Sequence, residues 1–162
     1  MALSARSYYK DTGAVWVLAR DGEVPQNAVP GGREANGQTN YIARFITKEG
    51  QLAPGKLVTQ YKQAYSGCDG VEQSSSIYQV LTHPNQNELK WVPTHGNNLP
   101  TGALQAGGDH QSPLYISRAQ FQGGLCCGKF EPTHNCAYLP WGGKEYCVTN
   151  NFEVLCLARI CE

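Results

Sequence analysis

The sequence predicts an all-β fold, a pseudo-two-fold antiparallel domain of β-sandwich or barrel-like form, built from two tandem repeats. Short runs of β-branched and aromatic residues alternate with turns rich in glycine and asparagine. The chain contains 18 glycines and 9 prolines, and no apolar run keeps the period of a helix. Much of the first half also recurs in the second, which sets the architecture before any single element is assigned.

The repeated pattern opens at Trp16 in the first copy and at Trp91 in the second. Residues 41–44 match residues 115–118, and residues 52–56 match residues 125–129. These matches predict an N-terminal extension at 1–14, a first repeat at 15–82, a connector at 83–90, a second repeat at 91–157 and a tail at 158–162.

The elements follow the same order in each copy. In the first we expect strands at residues 15–18 and 41–47, ended by the turns 20–22 and 48–50. In the second we expect strands at residues 88–93 and 114–121, followed by turns at 95–98 and 123–124. Residues 1–14 are expected to form an extra strand or a loose arm. Each copy is near the size at which a separate hydrophobic core is marginal, so the copies should share one core.

The charge balance argues against nucleic-acid binding, because 13 acidic and 13 basic residues cancel and no basic segment stands out. No apolar stretch is long enough to span a membrane, so we expect no membrane insertion. Residues 1–10 lack the apolar run of a secretory signal, which predicts a cytoplasmic protein, or one released to the extracellular fluid by a non-classical route. The cysteines number seven, an odd count without paired spacing, and are interpreted as buried free thiols.

Two pairs of charged residues are the leading candidates for chemistry: Glu34 with Lys56, and Asp109 with Lys129. Each acid follows a glycine turn, and each lysine follows a glycine in the next segment, so a hairpin would bring the two together. A carboxylate accepts from two neighbouring hydroxyls while an ammonium donates to nearby oxygens, which suits a polyol such as a hexose. The alternative is a pair of surface salt bridges, each contributing ~0–1 kcal/mol.

Other polar residues are secondary candidates. Lys144 and Glu145 sit on a glycine turn and could support the contact residues, or simply form a tight turn. Arg44 and Arg118 are expected to be structural, with ligand contact as the alternative. Trp16 and Trp91 are expected in the core rather than under a sugar ring, and the acids Glu34 and Asp109 should occupy separate sites rather than form one glycosidase pair.

No metal, cofactor or catalytic residue is predicted. Five possible ligands lie close in sequence, but their spacing fits no zinc ribbon or finger, and the equivalent positions of the first copy carry no ligand: Cys126, Cys127, His134, Cys136 and Cys147. No cysteine–histidine motif or phosphate-binding loop is present either. The protein is therefore not expected to be an enzyme.

The ordered motifs, which include Pro-Gly-Lys and Gly-Gly-Lys-Glu-Tyr, resemble the DM-nine repeat family over about residues 15–157. Two-repeat members resemble mannose-binding lectins of invertebrates that act in pattern recognition and innate immunity. The resemblance implies an all-β fold, a homodimer, and sugar contacts by Asp109 with Lys129 and by Glu34 with Lys56. The first copy carries Glu34 where the family has Asp, and Val71 in place of the Lys of Gly-Lys-Glu, so the second site is expected to be the better one.

Two functions remain open at this point. The first is a non-enzymatic lectin whose partners are mannose or mannose-containing glycans. The second is an intracellular interaction or stress-response scaffold that binds no sugar, motivated by the missing signal and the cysteine content.

Overall fold

The computed structural model describes residues 12–161, which form fourteen strands, three single-turn 3-10 helices and one short α-helix. The strands of the first half are β1 Val15–Arg20, β2 Pro30–Arg33, β3 Thr39–Ile46, β4 Leu52–Val58, β5 Gln63–Cys68, β6 Val71–Ser75 and β7 Ile77–Thr82. Those of the second half are β8 Leu89–Thr94, β9 Gln105–Gly108, β10 Pro113–Phe121, β11 Gly124–Glu131, β12 Cys136–Trp141, β13 Lys144–Val148 and β14 Phe152–Leu157, followed by the helix α1 Ala158–Cys161. No helix in this part of the chain is long and apolar enough to cross a membrane.

Both halves pair their strands in the same way. In the first, β3 lies between β4 and β7, and β1 adds to the outer side of β7. In the second, β10 lies between β11 and β14, and β8 adds to the outer side of β14. Every pairing is antiparallel, which confirms the all-β fold and its pseudo-two-fold repeat. The predicted extension at residues 1–14 lies almost wholly outside the described residues.

The two halves are joined edge to edge into closed rings. Strand β2 pairs with β11, β4 pairs with β9 in the matching arrangement, and β6 pairs with β13. One ring of eight strands therefore runs β2–β11–β12–β13–β6–β5–β4–β3 and returns to β2. Closure leaves these strand edges paired and brings the turns of one half against the strands of the other.

The hydrophobic core is shared by the halves, as predicted. One cluster belongs to each half, and a third lies between them. The shared cluster includes Ile42 and Leu81 from the first half, and Ile116 and Leu155 from the second, each at most 1% exposed. Burial of each such side chain contributes roughly 1.5–3 kcal/mol, which a half folded alone would lose in part.

Arg44 and Arg118 are structural, as predicted. The Arg44 guanidinium lies 4.0 Å from the centre of the Trp16 ring and donates to the Ala106 carbonyl oxygen at 2.9 Å. Arg118 lies 4.1 Å from the centre of the Trp91 ring and donates to a carbonyl of the first half at 3.3 Å. Each arginine thus covers its own tryptophan and hydrogen-bonds to the opposite half.

The prediction of free thiols is wrong for one pair of cysteines. Cys136 and Cys147 form a disulfide across the β12–β13 hairpin, with their Cα atoms 5.7 Å apart. Adjacent antiparallel strands hold such positions within the range that a disulfide spans. The prediction is confirmed for four cysteines, which are buried and free: Cys68, Cys126, Cys127 and Cys156.

Candidate functional site

Two clefts contain the predicted acid–lysine pairs, one pair in each. The Lys56 cleft has a volume of about 250 Å³ and is lined by Glu34, Lys56, Val58, Tyr61, Tyr65, Glu72, Trp141 and Gly142. The Lys129 cleft has a volume of about 660 Å³ and is lined by Glu49, Gln51, Cys68, Asp69, Gly70, Asp109, His110, Gln111, Ser112, Lys129, Glu131, His134, Tyr138 and Glu145. Each cleft takes residues from both halves.

A close approach of two strands positions each lysine. Gly55 in β4 and Gly128 in β11 immediately precede the two lysines, and a Cβ atom at either would overlap the carbonyl oxygen of a tyrosine on the next strand. The lysines pair in register with those tyrosines, Lys56 with Tyr65 on β5 and Lys129 on β11 with its counterpart on β12. The retained Gly-Lys dipeptide therefore combines a backbone requirement with a charged side chain.

Two equivalent glutamates link the turns that separate the clefts. Glu72 accepts a hydrogen bond from the Gly143 amide at 3.1 Å, and Glu145 accepts one from the Gly70 amide at 3.1 Å. Glu145 also contacts Lys129 directly, whereas Lys144 is exposed and lines neither cleft. Of this Gly-Lys-Glu segment, Glu145 lines the Lys129 cleft and also hydrogen-bonds to the turn of the other half.

The Lys129 ammonium is already saturated by protein groups. Nζ donates to the Gln51 side-chain oxygen at 2.7 Å and to the Gly67 carbonyl at 2.7 Å, and lies 3.3 Å from a carboxylate oxygen of Glu145. Its side chain is 3% exposed. An ammonium has three N–H donors, so these three acceptors leave none for a ligand unless one acceptor is displaced.

Gln51 bridges the predicted pair in this cleft. Its amide nitrogen donates to Asp109 at 3.0 Å, while its oxygen accepts from Lys129. Asp109 also accepts from the backbone amides of Gln111 and Ser112, and these hydrogen bonds, with that from Gln51, lower the pKa of its carboxyl. Asp109 and Lys129 therefore share a cleft, as the sequence suggested, but a glutamine lies between them.

The Lys56 cleft differs at that position. The residue equivalent to Gln51 in the repeat is Gly124, which has no side chain to bridge Glu34 and Lys56. Among residues 12–161, Lys56 Nζ has one hydrogen-bond partner, the Cys126 thiol at 3.5 Å, although the lysine is 5% exposed. A thiol is a weak acceptor, so the ammonium retains donors for a ligand.

Two acids line the Lys56 cleft, and each accepts a hydrogen bond from a protein group. Glu34 lines the cleft, and one of its carboxylate oxygens accepts a hydrogen bond from the buried Asn40 amide at 2.7 Å, which orients the side chain. The second acid, Glu72, has its pKa raised mainly by burial. The cleft therefore offers two carboxylates and one ammonium within a small volume.

Aromatic rings complete the Lys56 cleft. Tyr61 and Tyr65 come from the first half, and Trp141 reaches in from the β12–β13 turn of the second, with 42% of its surface exposed. The corresponding position in the Lys129 cleft holds Cys68. Sequence reasoning identified neither Trp141 nor Gln51 as a site residue. The sequence did carry a signal for both residues. Trp141 aligns with Cys68 and Gln51 aligns with Gly124, so the two repeats differ in residue type at these positions. These differences affect the sites because each cleft takes residues from both halves.

Comparisons with known proteins agree with this architecture. The profile of the DM9 repeat matches residues 7–52, 40–148 and 109–161. Natterin-4 of Thalassophryne nattereri is 29% identical over 127 residues, which cover 78% of this chain and 30% of Natterin-4. The chain thus spans less than a third of the length of that relative. The crystal structure of the nematode sperm cell motility protein MFP2B matches with a TM-score of 0.62 at 17% identity, over 88% of this chain and 46% of MFP2B, a likeness of fold.

Proposed function

The chain belongs to the DM9 repeat family, and on that basis we propose that it is a carbohydrate-binding lectin whose Lys56 cleft takes one hexose of the mannose type. The observation that carries the proposal is the Lys56 ammonium, which is buried beside a thiol and faces a cleft with two carboxylates. Its volume of about 250 Å³ is below the ~300–1,000 Å³ typical of sites for drug-sized ligands, which suits a single sugar ring.

The chemistry of the cleft supports a polyol ligand. Glu34 and Glu72 are acceptors for pairs of hydroxyl groups, and Lys56 is a donor to a ring or hydroxyl oxygen. Trp141 and the tyrosines present apolar faces with polar edges, which match the apolar face and hydroxyl rim of a pyranose.

The proposal ranks the two clefts in the opposite order from the sequence expectation. A sugar in the Lys129 cleft would have to displace Gln51 or Glu145, which costs hydrogen bonds to a buried ammonium. A sugar in the Lys56 cleft would replace a weak contact with Cys126 by hydrogen bonds to hydroxyl oxygens. We therefore propose that one monosaccharide binds per chain.

Calorimetric titration with mannose, together with binding to immobilised mannan, tests this proposal. We expect weak monosaccharide binding, about 4 kcal/mol at a millimolar Kd, at one site per chain. Lys56→Met should abolish it, because the replacement keeps the apolar stem and removes the donors. Lys144→Met is the matched control and should bind as the wild type does, since Lys144 is exposed and lines neither cleft. A Lys56→Met protein that still bound mannan would refute the proposal.

A second variant tests the ranking of the clefts. Gln51→Gly copies Gly124 into the Lys129 cleft and removes the bridge between Asp109 and Lys129. We expect the stoichiometry to rise from one to two mannose molecules per chain. A wild-type stoichiometry of two, or binding abolished by Lys129→Met but not by Lys56→Met, would reverse the ranking.

A role in pattern recognition and innate immunity is part of the same proposal. Clustered glycans on a microbial surface would engage several chains at once, and a homodimer would raise avidity over a single weak site. Disulfides persist in oxidising surroundings and are rare in the reducing cytosol. The Cys136–Cys147 disulfide therefore supports the proposal that the protein is released from the cytosol by a non-classical route. Sedimentation of the purified chain and its detection in culture medium test these two points.

A protein-interaction scaffold is the second candidate. Its support is a groove on the first half in which Leu18 and Ile46 are each 70% exposed and Ile77 is 57% exposed. The equivalent residues of the second half are polar or proline, so the groove is not a feature of both repeats. A binding partner lost in Leu18→Ser, Ile46→Ser protein and retained in excess mannose would favour this function over the lectin.

A further inference from the structure

The Lys129 cleft contains a group of metal-ligating side chains that the proposed sugar site does not use. Glu49, Cys68 and Asp69 each offer one ligand atom, and the three atoms lie within 4.8 Å of one another. Glu49 lies in the turn between β3 and β4, Cys68 ends β5, and Asp69 follows it. Three side chains from two neighbouring turns thus converge at the edge of one cleft.

Cys68 is the member of the group that points to a ligand. It is 8% exposed and lines the cleft, and its thiol makes no hydrogen bond to residues 12–161. Of the other free thiols, Cys126 contacts Lys56 and donates to the Pro140 carbonyl, Cys156 donates to the Val154 carbonyl, and Cys127 is buried within the shared hydrophobic cluster. Cys68 belongs to none of the three hydrophobic clusters and lies beside two carboxylates, where a thiophilic cation would be a polar partner for its sulfur.

The charge of the cleft favours a cation. Its carboxylates are Glu49, Asp69, Asp109, Glu131 and Glu145, against the single ammonium of Lys129. That ammonium is paired with Glu145, so its repulsion of a second cation is partly offset. The Glu49 carboxylate accepts a hydrogen bond from Gln73 at 2.7 Å, which orients the side chain toward the group.

The group exists in the first half alone. The repeat partners of Glu49, Cys68 and Asp69 are Gln122, Trp141 and Gly142, which together offer no thiol and no carboxylate. The two clefts therefore differ in the kind of ligand that this position favours, because Cys68 lines the Lys129 cleft and Trp141 lines the Lys56 cleft. A metal-ligating atom stands in one cleft where an aromatic ring stands in the other.

We propose that Glu49, Cys68 and Asp69 bind one thiophilic divalent cation, of the zinc(II) class, at the mouth of the Lys129 cleft. One thiolate and two carboxylates are ligands that zinc accepts, and three protein ligands leave a fourth position open toward the cleft. On binding, the sulfur–metal bond forms as the Cys68 thiol releases its proton to solvent, with no change of oxidation state. The site is independent of sugar binding in the Lys56 cleft.

Cobalt(II) titration of the untagged, oxygen-free protein tests the site, because a cobalt–thiolate bond gives a charge-transfer absorption that zinc(II) then removes. We expect one cobalt ion per chain. The band should disappear in Cys68→Ser and persist in Cys126→Ser, the matched buried thiol. Absence of the band in wild-type protein, or its survival in Cys68→Ser, would overturn the proposal.

A second variant covers the case in which Cys68→Ser fails to fold. Glu49→Gln with Asp69→Asn alters two exposed side chains and should weaken cobalt binding on the order of tenfold or more, the size that loss of even an outer partner of a ligand produces. Unchanged affinity in this double variant would also overturn the proposal. Lys56→Met should keep full cobalt binding, so failure of the sugar site and failure of the metal site are distinguishable.

Discussion

Lys129 and Glu145 form an ion pair of 3.3 Å in which each side chain is 3% exposed. Removing one partner leaves the other charge buried without compensation, a change that typically costs about 3–5 kcal/mol. We expect Glu145→Ala to lower the free energy of unfolding by about that amount, measured by urea denaturation.

Glu72→Ala is the matched control for this prediction. Glu72 makes the equivalent hydrogen bond to the amide of Gly143, but within residues 12–161 it forms no ion pair shorter than 4.0 Å. Its loss should cost about 1–2 kcal/mol, the scale of one hydrogen bond with partial burial. Equal losses for the two variants would mean that the ion pair with Lys129 contributes nothing beyond the shared turn.

Gly128 should not tolerate a side chain. A Cβ atom there would overlap the Tyr138 carbonyl oxygen, which is backbone and cannot rotate away. We expect Gly128→Ala to lower stability by upward of about 3 kcal/mol, because β11 and β12 must separate. Gly142→Ala is the comparison: its Cβ meets nothing within 4 Å, and the positive φ of 58° should cost about 1–2 kcal/mol. Thermal unfolding in which Gly142→Ala was the less stable protein would contradict the packing argument.

Asp109 should make stability depend on pH in the acid range. Hydrogen bonds from the Gln111 amide, the Gln51 side chain and the Ser112 amide hold its pKa below the usual 3.8. A lowered pKa in the folded state contributes stability that is present above pH 3.8 and lost as pH falls through the folded pKa. The difference in unfolding free energy between wild type and Asp109→Asn should therefore shrink on acidification.

Glu72 supplies a test of opposite sign. Burial raises the pKa of the Glu72 carboxyl above the usual 4.5. The stability that this raised pKa contributes is therefore fully present below pH 4.5 and is lost as pH rises through the folded pKa. Relative to Glu72→Gln, wild type should become less stable from acid toward neutral pH. Parallel pH profiles for the two acids would contradict the hydrogen-bond and burial assignments.

The Cys136–Cys147 disulfide should make the protein sensitive to reductant. The bond closes a short segment, with a sequence separation of 11, and the chain-entropy model gives such a loop ~2–3 kcal/mol. Reductant should lower the melting temperature of wild type and leave that of the Cys136→Ala, Cys147→Ala variant unchanged. If reductant left the melting temperature of the wild type unchanged, the disulfide would contribute no stability.

The repeat pattern allowed much of the fold to be predicted because alternating apolar residues and glycine turns act locally. The strands at residues 15–18, 41–47, 88–93 and 114–121 fall within or next to β1, β3, β8 and β10. The structural roles of Arg44 and Arg118 followed from equivalent places in half-buried strands. The Cys136–Cys147 pairing escaped prediction because it depends on the register of β12 against β13, which cysteine spacing does not encode.

The repeat pattern was enough to predict two all-β repeats, each of which keeps an acid and a lysine. How the two clefts differ depends on contacts between the halves, which appear only in the folded protein. Gln51 reaches the lysine of the other half, and Trp141 lines the cleft of the other half, because strands β4 and β9, β6 and β13, and β2 and β11 pair across the repeats. Aligning the repeats compares each residue with its counterpart, whereas a contact between halves exists only after the ring has closed.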